Sequence, residues 1–201
     1  MSVERRVRLS PDERRAQLIA TGVNFLSDHA LDELTIDRLA AMTGVSRALV
    51  FHYFDTRQGM QRAVVQAARD ALLAATLPNQ ELPPKERVHD VLLRITRFVR
   101  EHRGTFFSLV RGVASGDPAV RAVVDEAREA NAEHLRVAWV ELGEVDGTAL
   151  RVALRSWVAF TEETLAALSV DDADRAEDPT VVAFLERTLD GVVAAARDAR
   201  L

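Results

Sequence analysis

The side chains best suited to chemistry in this chain stand together between Ser46 and Arg57, in the stretch SRALVFHYFDTR. Arg47 offers a planar fork of donors that matches the O6 and N7 acceptors of guanine, whereas Ala48 and Leu49 bring shape and an apolar surface for a thymine methyl. Phe51 and His52 follow, and the hydroxyl of Ser46 opens the stretch. The set suits recognition rather than bond breaking.

What positions these residues is written just before them. The segment TIDRLAAMTGVSRALVFHYF, from Thr35 to Phe54, predicts two short helices joined at Gly44. Ala40 is small where two helices must approach, and Gly44 is free to take the positive φ that a tight connection needs. Leu39, Thr43, Val45, Val50 and Tyr53 fall on the inward side. Ser46 is placed to cap the second helix by accepting a backbone N–H that would otherwise be orphaned. Ser46, Arg47, Ala48, Leu49, Phe51 and His52 are left to face outward, on the N-terminal part of a helix, where a helix-turn-helix meets base edges. The competing reading is an ordinary helical hairpin with Arg47 and His52 merely solvated.

Residues 10–60 resemble the DNA-binding domain of the tetracycline-repressor (TetR) family of bacterial transcription regulators. The resemblance rests on a second helix initiated by Thr35, the Ala40…Gly44-Val45-Ser46 turn, the aromatic run Phe51-His52-Tyr53-Phe54, and Arg57 where the family usually has lysine. It implies phosphate contacts from Thr35, Ser46, Tyr53 and Arg57, and base or groove-wall contacts from Arg47, Ala48, Leu49 and His52. Phe51 departs from the pattern: the family commonly has a tyrosine there, whose hydroxyl reaches a phosphate. Phe51 is therefore assigned to apolar groove contact or core packing.

Composition sets the frame for the rest. The 201 residues are 48% apolar, with nine glycines, six prolines and no alternating strand pattern, which suits an all-helical fold. The absence of cysteine excludes disulfides, thiolate zinc sites and thiol nucleophiles, and fits a reducing cytoplasm. No apolar run approaches the roughly 20 residues of a membrane span, so a soluble cytoplasmic protein without membrane contact is expected. The net charge of −5 argues against DNA only as a sum. Residues 1–60 balance eight arginines against eight carboxylates, and screening beyond about 10 Å makes the distribution decisive. Asp28, Asp32, Glu33 and Asp37 are expected to point away from DNA.

Along the chain, Ser10-Pro11-Asp12-Glu13 combines a serine cap, a proline at the first helical position and a glutamate three residues after the cap. That helix is predicted to run to about His29, with Ala16, Ile19, Ala20, Val23, Phe25 and Leu26 on its apolar side. Residues 1–9 read as a flexible tail, or as an arm whose arginines track the minor groove. A fourth helix is predicted from about Arg57 to Leu77, before Pro78. Others follow at about 84–102, 104–114, 118–142, 148–169 and 179–198, separated by proline, glycine and an acidic stretch at 171–178. That stretch lacks the glycine and terminal glutamate of a calcium loop. The expected fold is all-α with about nine helices: a three-helix helix-turn-helix domain over 1–57 and a larger helical domain over 58–201.

Two apolar stripes mark the last two helices, Leu150, Leu154 and Trp157 on one and Val181, Leu185, Leu189 and Val192 on the other. They bury either against a second copy or against their own core. The resemblance favours the second copy, since in this family these helices usually form a four-helix bundle across a homodimer that binds two DNA half-sites. It also implies a small-molecule effector, largely apolar, in the second domain. Phe98, Phe106, Phe107, Trp139, Trp157 and Phe160 supply the apolar candidates, and His102, His134, Thr161 and Glu162 the polar ones. Against an enzyme stand the missing serine elbow, phosphate-cradling loop and paired-histidine metal spacing. No metal or other cofactor is expected. A helical protein-interaction module without DNA binding is the remaining alternative, and it leaves the pattern of residues 35–57 to chance.

Overall fold

A computed structural model describes residues 9–112, 118–168 and 178–199. Among these residues there are nine α-helices and no strand. The tail or arm read over 1–9 lies outside the described residues except for Leu9, and the acidic stretch at 171–178 except for Asp178.

α1, Pro11–Phe25, starts as its sequence predicts: Ser10 Oγ accepts from the Glu13 N–H at 3.2 Å, and Glu13 Oε2 accepts from the Ser10 N–H at 2.8 Å. It ends earlier than His29. The N–H groups of Leu26, Ser27 and Asp28 donate to carbonyls three residues back, winding the last turn tightly and sending Leu26 inward. Its buried face is also rotated from the expected one. Leu18, Gly22, Phe25 and Leu26 are buried, whereas Ala16 and Ala20 face solvent.

A short 3₁₀ turn at Leu31–Glu33 leads into α2, Ile36–Thr43, and α3, Arg47–Phe54. Thr35 caps α2 by accepting from the Arg38 N–H at 3.2 Å, and Ser46 caps α3 by accepting from the Leu49 N–H at 3.2 Å. Between them Gly44 takes φ +66°, while the Val45 N–H donates to the Ala40 carbonyl at 3.1 Å. Leu39 and Val50 are fully buried, and Thr43, Val45 and Tyr53 partly so, as the inward pattern requires.

α4, Arg57–Ala75, is the axle of the molecule. Met60, Val64, Val65 and Ala68 join α1–α3 in one core, to which Val120 and Val123 from the start of α7, Pro118–Glu141, also belong. Its far end packs beside α5, next to a second core built from α5 (Pro84–Glu101), α6 (Arg103–Gly112), α7, α8 (Thr148–Leu168) and α9 (Asp178–Asp198). There Arg94 of α5 donates to the carbonyls of Ala75 at 2.7 Å and Leu77 at 2.8 Å, satisfying groups that a helix end leaves open.

The stripes on α8 and α9 belong to this second core. Leu150, Leu154, Trp157, Val181, Leu185 and Leu189 are buried within the chain itself, Val192 packs partly buried on the same cluster, and Trp157 Nε1 donates to Thr188 Oγ1 at 3.0 Å. They are not an outward surface, because α8 and α9 pack on each other and on α7 and α5 through those faces. The outward side carries Val152, Phe160 and Phe184 instead. The two phenylalanines are 42% and 40% exposed, with ring centroids 6.1 Å apart.

Candidate nucleic-acid interface and internal cavity

α3 lies on the surface with its outward face open. Arg47, Ala48, Phe51 and His52 are exposed, Ser46 is exposed at the cap, and Leu49 is half-buried. The Arg47 guanidinium is 5.6 Å from the Phe51 ring centroid, which extends the arginine along the helix face. Phe51 is thus a surface residue rather than core. His52 meets the Tyr53 ring edge-on at 5.4 Å, and Tyr53 itself packs half-buried on the first core.

The hydroxyls of Thr35 and Ser46 accept the capping bonds, and each retains its own O–H for an acceptor such as a phosphate oxygen. Arg57 Nη2 donates to the Asp32 carbonyl, which brings the positive N-terminal end of α4 beside the approach to α2. Thr56 caps α4 by accepting from the Gly59 N–H at 2.9 Å. Helix starts with free N–H groups near cationic side chains form ready anion sites.

One acid stands where it was not expected. Asp37 does not turn away from the reading face; its carboxylate pairs with Arg47 at 3.1 Å, both side chains remaining largely exposed. The first turn of α2 faces the first turn of α3 across the Gly44 connection, so an acid at N2 of one helix reaches the first residue of the other. Glu33 is taken up by Arg38 at 3.0 Å, and that guanidinium holds the Glu33 carboxyl below its ordinary range.

A cavity of about 80 Å³ lies between the end of α4, α5, α6, α7 and α8. Of the residues expected to line a ligand site, Phe106, His134, Trp157, Thr161 and Glu162 do so. Phe98, His102, Phe107, Trp139 and Phe160 do not. Phe98 and His102 pack on each other at 4.7 Å, Phe107 is half-buried on the core, Trp139 is buried under Lys85, and Phe160 faces outward. The sequence reading missed Leu72 of α4 and Thr76 at its C-cap, Val88, Val91, Leu92 and Ile95 of α5, and the polar groups Arg87 and Asn131. The spacing of the α5 set, one apolar residue every three or four, was the available signal.

The polar groups around the cavity are mostly spoken for. Arg87 makes two bonds to Glu141, at 3.2 and 2.8 Å, and also donates to the Leu82 carbonyl. Glu162 accepts from Arg128 Nε at 2.7 Å, and burial outweighs that arginine, pushing the Glu162 carboxyl up. Burial likewise pushes the His134 imidazole down. Thr161 is different: it is 8% exposed and its buried hydroxyl has no hydrogen-bond partner.

A surface helix presented by a glycine turn, on a helical body that holds a cavity, defines a helix-turn-helix protein with a second helical part. Two family descriptions match in that order: "Bacterial regulatory proteins, tetR family" over residues 18–64 and "Tetracyclin repressor-like, C-terminal domain" over residues 84–194. The chain belongs to the TetR family of bacterial transcriptional regulators. It is 32% identical over 96 residues to the nucleoid occlusion factor SlmA of Haemophilus influenzae, a match covering 46% of this chain and 44% of that protein. The chain thus spans less than half the length of that relative. An uncharacterized HTH-type transcriptional regulator of Mycobacterium bovis is 25% identical over 144 residues, 68% of each chain. Among solved structures, a tetR-family transcriptional regulator from Streptomyces coelicolor superposes with a TM-score of 0.77 at 29% identity, over 94% of this chain and 83% of that one.

Proposed function

We propose that this protein is a transcriptional repressor that binds a near-palindromic operator as a homodimer and is released by a small, largely apolar effector. The observation that carries the reading is α4: one helix holds the reader through Met60 and Val64 and walls the cavity through Leu72 and its C-cap Thr76. In this reading Arg47, Ala48, Leu49, Phe51 and His52 meet the major groove, and Thr35, Ser46, Tyr53 and Arg57 hold phosphates. The 1–57 segment is the reader and 58–201 the sensing and dimerising part, acting in the cytoplasm as a regulator and not as a catalyst.

Two copies joined through the outward face of α8 and α9, around Val152, Phe160 and Phe184, would set two recognition helices in successive major grooves about 34–36 Å apart. An effector larger than the cavity forces its walls apart. The end of α4 is one of those walls, and Arg94 ties it to α5, so the displacement reaches the reader and changes the half-site spacing. Coupling of about 1–3 kcal/mol is typical, and it acts reciprocally between operator and effector.

The test is an electrophoretic shift with the DNA flanking the protein's own gene, followed by titration of effector into free and DNA-bound protein. Retarded DNA and weaker effector binding by the complex are expected. No shift on that DNA, or equal effector affinity in both states, overturns the proposal.

A further inference from the structure

We infer that the cavity between the end of α4, α5, α6, α7 and α8 selects an uncharged, compact, largely apolar molecule that carries a single hydroxyl or carbonyl, which bonds to Thr161. The inference deepens the effector reading and rests on it for its regulatory meaning, though not for the binding itself.

The argument is one of charge accounting within the cavity wall. Each cation near it is matched by a carboxylate: Arg87 by Glu141, and Arg128 by Glu162 with Asp125 at 3.4 Å. An anionic head group would arrive beside the Glu162 carboxylate with no uncommitted arginine among those pairs to meet it. A cationic head group would displace or face the Arg128 guanidinium. Either charge must be stripped of water without compensation, which an apolar cavity strongly disfavours. The neutral form of His134, favoured by its burial, adds no charge to the balance.

The shape of the wall fixes the rest. Val88, Leu92, Ile95, Leu135 and Val158 supply an apolar body-binding surface, and Trp157 supplies a ring. Thr161 is among the lining residues, and its hydroxyl is the buried side-chain atom, among the described residues, that the protein leaves without a partner. Buried polar groups are nearly always partnered, and here the missing partner is assigned to the ligand. A hydroxyl can both donate and accept, so an alcohol or a carbonyl serves equally.

Four probes that share one ring test the preference: benzyl alcohol, benzoate, benzylammonium and toluene, each titrated into the full chain by isothermal calorimetry or ligand-observed NMR. Benzyl alcohol is expected to bind at least tenfold more tightly than either ion. Thr161→Val is expected to remove the advantage of benzyl alcohol over toluene, a loss of fivefold or more, while Thr161→Ser keeps it. Equal or tighter binding of benzoate or benzylammonium overturns the inference, as does failure of all four probes to bind, or an unchanged alcohol-to-toluene ratio in Thr161→Val. The head-group series on the unmodified protein decides the matter if the valine variant does not fold. Operator release is measured separately by fluorescence anisotropy. Benzyl alcohol that binds without releasing DNA sinks the effector reading and leaves the head-group preference standing.

Discussion

At the scale of single residues, the Asp37–Arg47 pair is the most informative contact on the reading face. An exposed ion pair contributes little to stability, so under the proposed function its consequence lies in binding: Arg47 would have to leave Asp37 before meeting a base. Arg47→Ala is expected to cost about 1–3 kcal/mol and to relax preference at one operator position, checked by anisotropy against single-base variants. Asp37→Asn is expected to tighten operator binding several-fold at low salt, with the gain fading as salt rises. Inside the second core, an orphaned hydroxyl costs on the order of 1–3 kcal/mol, so Thr161→Val should raise the melting temperature of the ligand-free protein. The His134 imidazole is depressed by burial. As pH falls through about 6.5 the unfolded chain takes up the proton first, so the His134 contribution is complete above that value and lost as pH drops through the lower folded pKa. Melting curves from pH 7.5 to 5 should show this decline, and His134→Asn should flatten it. The outward residues of α3 were legible because a helix-turn-helix is local in sequence, its turn, caps and buried positions lying within twenty residues. The partner of Glu162 was not, because Arg128 comes from a helix far away in the chain.

At the scale of elements, helix existence followed from caps and breakers, while helix facing did not. Proline and glycine placed the ends of α5 and α8 within a residue or so, and the Ser10–Glu13 capping box placed the start of α1. Which stripe of α8 and α9 is buried depends on how many neighbours each helix has. With α7 and α5 packed on them, the strongest stripes were used internally and the outward face was left with Val152, Phe160 and Phe184. A further joint was invisible to pattern reading. Gly104, near the start of α6, sits against the end of α1 so closely that an added Cβ would lie 1.7 Å from the Ser27 carbonyl oxygen. Gly104→Ala should therefore destabilise by about 1–3 kcal/mol through overpacking and shift the helix-turn-helix relative to the second core. A lowered melting temperature together with altered operator affinity would be the readout. Arg94→Ala should also destabilise, by about 1–3 kcal/mol, since a charged donor to two helix-end carbonyls is lost. Its sharper signature is a weaker effect of effector on DNA binding.

At the scale of the whole molecule, charge and symmetry act together. The first 60 residues are neutral in sum, and the remainder of the chain carries the whole net charge of −5. A dimer would thus present two balanced readers beneath an acidic body, a distribution that discourages loose association with DNA away from the recognition helices. Phe160→Glu combined with Phe184→Glu is expected to yield monomers in sedimentation experiments and to weaken operator binding at least a hundredfold, with helical content unchanged. Retained dimers would place the twofold surface elsewhere.

Because α4 contributes Met60 to Ala68 to the first core and Leu72 to the cavity wall, no cut within it leaves both intact. A chimaera that transplants this reader onto a foreign body must be spliced ahead of Arg57, taking the recipient's own fourth helix and repacking it against Leu18 and Leu39. A junction placed midway along α4 would separate the residues that pack on the helix-turn-helix from those that wall the cavity.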